Sequence, residues 1–386
     1  MSQLNVDTIK KADGTGNLSV PAETGTVVTT ASPSLGRRNL IINGAMQVAQ
    51  RGTSFTGLGN ASSQYLLDRF RFNENGDPTY EFTATQDSNG PDGFGSSLKI
   101  DITTADTSLG TNDTLRIRTL LEAQNLQSLA YGTSSASSVT LSFYVKSSTT
   151  GTYKVFIYSE DGDRSNAKAY TIDTADTWER KTLTFSGDAS GTINNDTGRG
   201  FDIEFFLAAG TDWTSGTDPD GTWEGHTKAN VAAGQTVNLA SSTSNYWQIT
   251  GVQLEVGDTA TPFEHRSYGE ELALCQRYYH RQGDNTVSNG YEGFGACAAY
   301  STTSARMVYS LPVQMRTTPS FTYNGSFQMT TGESINSSGA MSLADGGGNP
   351  VVCINIDSTS TLTKWYAYSV RSNNDIDAYF AFDAEL

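Results

Sequence analysis

Short segments that alternate apolar and polar residues recur along most of this chain, and that alternation restricts the fold more than any other feature. Val139, Leu141, Phe143 and Val145 alternate with Thr140, Ser142, Tyr144 and Lys146. A period of two places one face of a strand in a core and the other toward water. Tyr153-Lys-Val-Phe-Ile-Tyr158 resumes after a turn at Gly151, the pattern of a hairpin. Comparable segments span 80–85, 97–103, 114–120, 182–185, 201–207 and 246–256. In the last, Trp247 and Ile249 share one parity while Val252, Leu254 and Val256 share the other. The change of phase at Gly251 predicts a β-bulge. Roughly ten strands without helices between them predict an all-β chain built on an antiparallel, jelly-roll-like sandwich.

With 386 residues the chain exceeds what one core usually holds, about 250–300 residues, so further units are expected. Residues 1–36 read as an extended arm. Leu4, Val6 and Ile9, then Leu18 and Val20, flank a turn cluster from Lys10 to Asn17. So few apolar groups cannot close a core, and an isolated hairpin is marginal in water, so the arm needs another surface. Residues 37–266 form the main sandwich. The stretch 267–281 predicts a linking helix: Ser267 and Glu270 make a capping box, Leu272, Cys275 and Tyr279 share a stripe, and Gly283 supplies the stop. Strands resume over 282–386 as a second, smaller sandwich, with a long loop at 339–350.

Charge narrows the function. Lys and Arg number 25 against 41 Asp and Glu, a net −16. Such a surface repels phosphate backbones and anionic lipid, which argues against nucleic acid and peripheral membrane partners. No apolar run of about 18 residues offers a membrane span. Met1 to Lys11 lacks the apolar core of a secretory signal, so the chain is expected to be made in a cytoplasm. Cys275, Cys297 and Cys353 suit reduced, packed thiols.

The inventory for catalysis is thin. His226, His265 and His280 are scattered, and no nucleophile elbow, zinc-helix or phosphate-loop motif occurs. The chain is therefore read as a non-enzyme with no cofactor and no metal. Glu160-Asp-Gly-Asp163 resembles part of a calcium loop but lacks the later bidentate Glu, and a hydrated turn is the simpler reading.

The best recognition candidate runs from Gly210 to Gly225, with Trp213, Trp223, Asp218 and Asp220. Indole faces pack on sugar C–H groups and carboxylates accept from hydroxyls, which is the chemistry of a glycan site. The alternative is that both indoles fold back over a sandwich edge.

Three sequence stretches carry a resemblance. They are Leu4-Asn-Val-Asp-Thr-Ile9 with Ser19-Val-Pro-Ala-Glu-Thr-Gly25; Asn39-Leu-Ile-Ile-Asn-Gly-Ala-Met-Gln47 with Gln50-Arg-Gly52; and Tyr246-Trp-Gln-Ile-Thr-Gly-Val-Gln-Leu-Glu-Val-Gly257 with Thr261-Pro-Phe-Glu264 and Cys275-Gln-Arg-Tyr-Tyr279. Leu311-Pro-Val-Gln-Met-Arg-Thr-Thr-Pro319 and Asp383-Ala-Glu-Leu386 follow the same pattern. The chain resembles tail-fibre-type virion proteins of tailed bacteriophages, cyanophages especially. The resemblance implies a homotrimer in the virion tail, assembled in the host cytoplasm. It would dock on a tail adaptor, nozzle or other virion protein through residues 1–36, with Leu4, Val6, Ile9, Leu18 and Val20 as docking residues. It also implies β domains, the one at 282–386 foremost, that meet host polysaccharide or lipopolysaccharide, and a main sandwich similar to carbohydrate-binding modules. A head or neck decoration protein and a glycan-degrading spike are the alternatives. No heptads or collagen-like repeats occur, so a long shaft is not expected.

Overall fold

A computed structural model describes residues 37–59, 63–283, 290–332, 335–344 and 348–386. The docking candidates Leu4, Val6, Ile9, Leu18 and Val20 lie outside the described residues. Contacts divide the chain into 1–38 and 39–386, and only the second unit is described below.

The fold is all-β. Thirteen strands build the sandwich: β1 (Ser54–Gly59), β2 (Gln64–Tyr65), β3 (Phe70–Asn75), β4 (Glu81–Asp87), β5 (Ser97–Thr104), β6 (Thr114–Glu122), β7 (Val139–Ser147), β8 (Gly151–Ser159), β9 (Arg164–Ile172), β10 (Glu179–Phe185), β11 (Arg199–Ala209), β12 (Glu224–Gly225) and β13 (Tyr246–Val256). One sheet runs β1-β4-β5-β13-β7-β10 and the other β12-β9-β8-β11-β6-β3-β2. The alternating residues meet between them. Val139, Leu141, Phe143 and Val145 are buried beside Phe205, Tyr170 and Trp247. Phe143 makes edge-to-face contacts with Phe205 and Tyr170, ring centres 5.2 and 5.1 Å apart.

The bulge sits where the phase changes. Thr250 pairs with Tyr144 and Gln253 with Ser142, so two residues of β13 oppose one of β7. Gly251 adopts φ 62°, and a Cβ there would lie 2.7 Å from the Phe94 ring. The strand's displaced amide is used elsewhere: Val252 N donates to Gly44 O at 2.9 Å. Asn39 Nδ2 donates to Val252 O, and Leu254 N donates to Asn39 Oδ1. Asn39 N donates to Glu264, Asn43 N to Glu271, and Arg266 donates to Ile41 O. The stretches around 39–47, 246–257 and 261–279 therefore converge on one buried polar joint, and their residues serve architecture.

The helix α1 covers Tyr268–Gln276 with the expected capping box. It stops short of Arg281. Tyr279–Gln282 instead forms strand β14, which pairs with the last strand of the chain. Tertiary pairing here overrides the helical spacing.

The remaining strands are β15 (Gly293–Ala299), β16 (Ser304–Ser310), β17 (Ser320–Asn324), β18 (Phe327–Thr330), β19 (Ile335–Leu343), β20 (Val351–Ser358), β21 (Ala367–Ser372) and β22 (Tyr379–Asp383). Where a second sandwich was expected, six of them close into a barrel, β15-β16-β20-β19-β18-β21, beside a three-stranded sheet β14-β22-β17. Part of the expected loop at 339–350 is strand β19. Bulges at Gly293/Gly295 and at Ser338/Met341 bend the strands, and bent short strands can meet end to end and leave no edge.

Sandwich and barrel are joined by buried charge. Arg69, with 1% of its side chain exposed, pairs with Glu385, donates to Leu120 O and lies 3.5 Å over the Tyr278 ring. Arg316 donates to Ala384 O, Glu385 O and Thr197 O. Arg277 clamps Glu122 through two nitrogens, at 2.7 and 2.8 Å.

Candidate functional site

Two strands carry charge on the side opposite the core. In β11, Phe201, Ile203, Phe205 and Leu207 enter the core, so Asp202, Glu204 and Phe206 lie on the outer face of the seven-stranded sheet. In β6, Leu115 and Ile117 point inward and Arg116 and Arg118 outward. Register aligns Arg118 with Glu204 on one side and Arg71 of β3 on the other, and Arg116 with Phe206 and Asn73. The result is a ladder of charge across neighbouring strands.

The ladder is closely coupled. Arg116 Nη1 meets Glu204 at 2.7 Å, and Arg118 Nη1 meets Asp202 at 2.8 Å and Glu204 at 3.4 Å. Arg116 also donates to Asn75. Burial pushes the Asp202 carboxyl up to about 7, helped by the Glu204 charge and opposed by Arg118, Arg199 and Arg116. Burial acts on Glu204 too, but Arg116 and Arg118 outweigh it and hold that carboxyl below its usual range. Glu204 thus keeps the negative charge and Asp202 takes a proton more readily. Arg71 Nε, Arg116 Nε, Arg118 Nε and Asp202 Oδ1 are buried without a protein partner.

Part of this face is covered: Phe156, Phe206 and Trp213 form a buried cluster on it with Val231 and Ala232. On β8, Phe156 stacks on Tyr158 at 6.3 Å, and His226 lies 5.8 and 5.1 Å from the two rings. Tyr158 Oη donates to Asp163. Lys154, fully buried on the same strand, meets Asp218 at 2.6 Å.

The four glycan candidates from the sequence are distributed unevenly about the ladder. Trp213 caps one end. Its indole is only 8% exposed, receives Arg116 at 4.9 Å and Lys228 at 4.8 Å over the ring, and donates from Nε1 to Asn112 O. Trp223, also 8% exposed, belongs to the sandwich core. It stacks on Phe201, meets Tyr131 edge-on and donates to Ser186 O. Both indoles are therefore folded back, and neither offers a free face to a sugar. Asp218 is the counter-ion of Lys154. Asp220 stays exposed in its turn, at φ 43°, with its amide donating to Asp218.

The calcium-like turn is also accounted for. Glu160 pairs with Arg199, Asp161 accepts from Asn194 twice, and Asp163 accepts from Tyr158. A separate open depression of about 550 Å³ is lined by Asp77, Thr79, Asp106, Ser108 and Asp113. Its Asp106 and Asp113 carboxylates accept from the Thr79, Ser108, Asp77 and Gly110 amides, so they cap loops.

No protein-family profile matches the chain, and no curated protein matches it. Among solved structures, 56% of the chain is similar to the enzymatically active domain of tailspike protein 4 of bacteriophage CBA120, at 11% identity and TM-score 0.30, spanning 21% of that domain. A family 11 carbohydrate-binding module from Clostridium thermocellum, in complex with a mixed-linked tetrasaccharide, aligns over 55% of this chain and 99% of its own, at 13% identity and TM-score 0.26. The tandem N-terminal modules of a Paenibacillus barcinonensis protein, Xyn10C, align over 91% of this chain and 98% of theirs, at 10% identity and TM-score 0.28. These are distant likenesses of shape.

Proposed function

We propose that this chain is a short tail fibre of a tailed phage, a homotrimer docked through residues 1–36, that adsorbs to host-surface glycan through the outer face of its seven-stranded sheet. The sequence resemblance supports the virion role. Arg118, half-buried at the edge of the charge ladder, carries the recognition role, with Arg116, Asp202 and Glu204 buried behind it.

Stability gives no reason for that ladder. Replacing whole buried ion pairs by apolar residues is often neutral or stabilising, so stability alone does not require the ladder. Guanidinium and carboxylate groups match the donors and acceptors of sugar hydroxyls.

The paired carboxyls raise a second reading, a spike that cuts its receptor, because neighbouring carboxyls with opposed acidities are what a glycosidase uses. Here both turn to the same Arg118 nitrogen. An acid and a nucleophile must instead face the bond they cleave, so binding without cleavage is the better reading.

The test is to stain candidate host cells with the labelled full chain before and after periodate oxidation of their surface sugars. Staining lost after periodate, with no shortening of isolated polysaccharide, is expected. Staining that survives periodate contradicts glycan recognition. Light scattering at three times 41.4 kDa is the expected mass.

A further inference from the structure

We propose that the barrel carries a second saccharide site, centred on Trp365, that takes the face of a pyranose ring. It lies apart from the charge ladder, on residues to which the adsorption reading assigns no role.

Trp365 is 75% exposed and its backbone sits at φ 72°. Bulky L-residues rarely occupy that left-handed region, and such departures persist only where the surroundings hold them. They are held here. Trp365 N donates to Ala299 O at 2.7 Å, Ala299 N to Tyr366 O at 3.0 Å, and Leu362 N to Thr302 O at 2.8 Å. Leu362 is buried in the barrel core, and Thr363 N donates to the Tyr368 hydroxyl. The loop before β21 is thus tied to the β15–β16 turn at both ends of the strained residue. An indole pinned in an unfavourable backbone and pointed at water contributes little to the core. Tyr366 and Tyr300, 59% and 41% exposed, flank it across the same hydrogen bonds.

The chemistry selects the ligand. Lys364 Nζ lies 4.7 Å from the centre of the Trp365 ring, and the Arg306 guanidinium 5.5 Å from that of Tyr300. Positive charge already beside both rings disfavours a quaternary ammonium, the usual guest of an aromatic cage. A chain of net charge −16 disfavours stacking of nucleic acid bases. Three rings rimmed by Ser301, Thr302 and Thr303 fall short of the roughly 800 Å² per partner of a stable protein interface. A pyranose fits: its C–H face lies on indole and its hydroxyls meet the rim and Lys364. Two separated sites on one chain would also raise avidity for a polymer.

The test is affinity electrophoresis of the full chain through gels containing mixed-linkage β-glucan, galactan or alginate. Wild type should be retarded by at least one polymer. Trp365→Ala should bind about tenfold more weakly, and Arg118→Ala should leave the Trp365-dependent part intact. Loss in Arg118→Ala alone means the ladder binds and the barrel does not, which overturns this proposal and spares the adsorption reading. Wild type unretarded in every gel also overturns it. A second measurement needs no ligand: Trp365→Gly, which relieves the backbone, should melt no lower than wild type. A lower melting point would make the indole structural and remove the site.

Discussion

Trp213, Trp223 and Trp247 in the sandwich and Trp365 in the barrel are put to opposite uses. These three sandwich rings are buried, the indole nitrogens of Trp213 and Trp223 find backbone carbonyls of Asn112 and Ser186, and the fourth, Trp178, is half-buried and donates to Asn89 Oδ1. That sandwich places charge on its outer face. The barrel, smaller and with a core of Met307, Met329 and Met341, holds a tryptophan out on a strained loop. A large core can absorb rings and leave a sheet face for polar recognition. The barrel side also takes rings inside, Phe294, Phe327, Phe380 and Phe382 among them, yet leaves Trp365 out.

The contrast can be broken by mutation. Trp223→Ala should lower the unfolding free energy by about 3–5 kcal/mol, measured by denaturant titration, because it empties a site packed against Phe201 and Tyr131. A loss under about 1 kcal/mol would mean that the indole is not core.

Next comes the joint between the two regions. Arg69→Met removes the guanidinium that lies over Tyr278 and leaves buried Glu385 with Arg51 as its remaining cation, at a cost of about 1–3 kcal/mol. Two separate thermal transitions in calorimetry, in place of one, would show that this contact is what couples sandwich and barrel.

Acid should act first on the barrel side. Burial holds His280 down to about 4, with Nε2 2.7 Å from the Tyr309 hydroxyl, whereas His226 and His265 are exposed. A lowered imidazole is neutral in the fold and protonates more easily when unfolded. Its contribution is therefore complete above about pH 6.5 and is lost as pH falls through 4, about 2–3 kcal/mol in all. An NMR titration of the His280 ring that moves near pH 6.5 would refute this. The smallest effect belongs to Trp365→Ala, which should change stability by no more than about 0.5 kcal/mol in the same denaturant assay that exposes Trp223→Ala.

Much of the sandwich was legible. Strict alternation gave β7 and β8, a phase change gave the Gly251 bulge, and Ser267 with Glu270 gave the helix start. The end of that helix was not legible, because Tyr279–Gln282 becomes a strand only when the distant β22 offers an edge. Barrel closure has the same long-range origin. At the site, Trp213, Trp223, Asp218 and Asp220 carried the right chemistry, yet their placement depends on which sheet the loop folds over. The ladder was written plainly as Arg116-x-Arg118 and Asp202-x-Glu204 on alternating strands. Charges on the polar parity of a strand usually mean a solvated face, and only the register that stacks opposite signs side by side distinguishes these.

Recognition by the charged sheet face is tested most directly by titration calorimetry of wild-type chain and Arg118→Ala against surface polysaccharide from cells that the labelled chain stains. Arg118→Ala leaves Asp202 and Glu204 without this partner, so the two proteins are compared well below the variant's melting point, where the circular dichroism is unchanged; loss of a charged hydrogen bond to the ligand is worth about 1.5–3 kcal/mol, so affinity should fall by at least about tenfold. Equal affinity in the two proteins would contradict the claim that the charged sheet face recognises glycan.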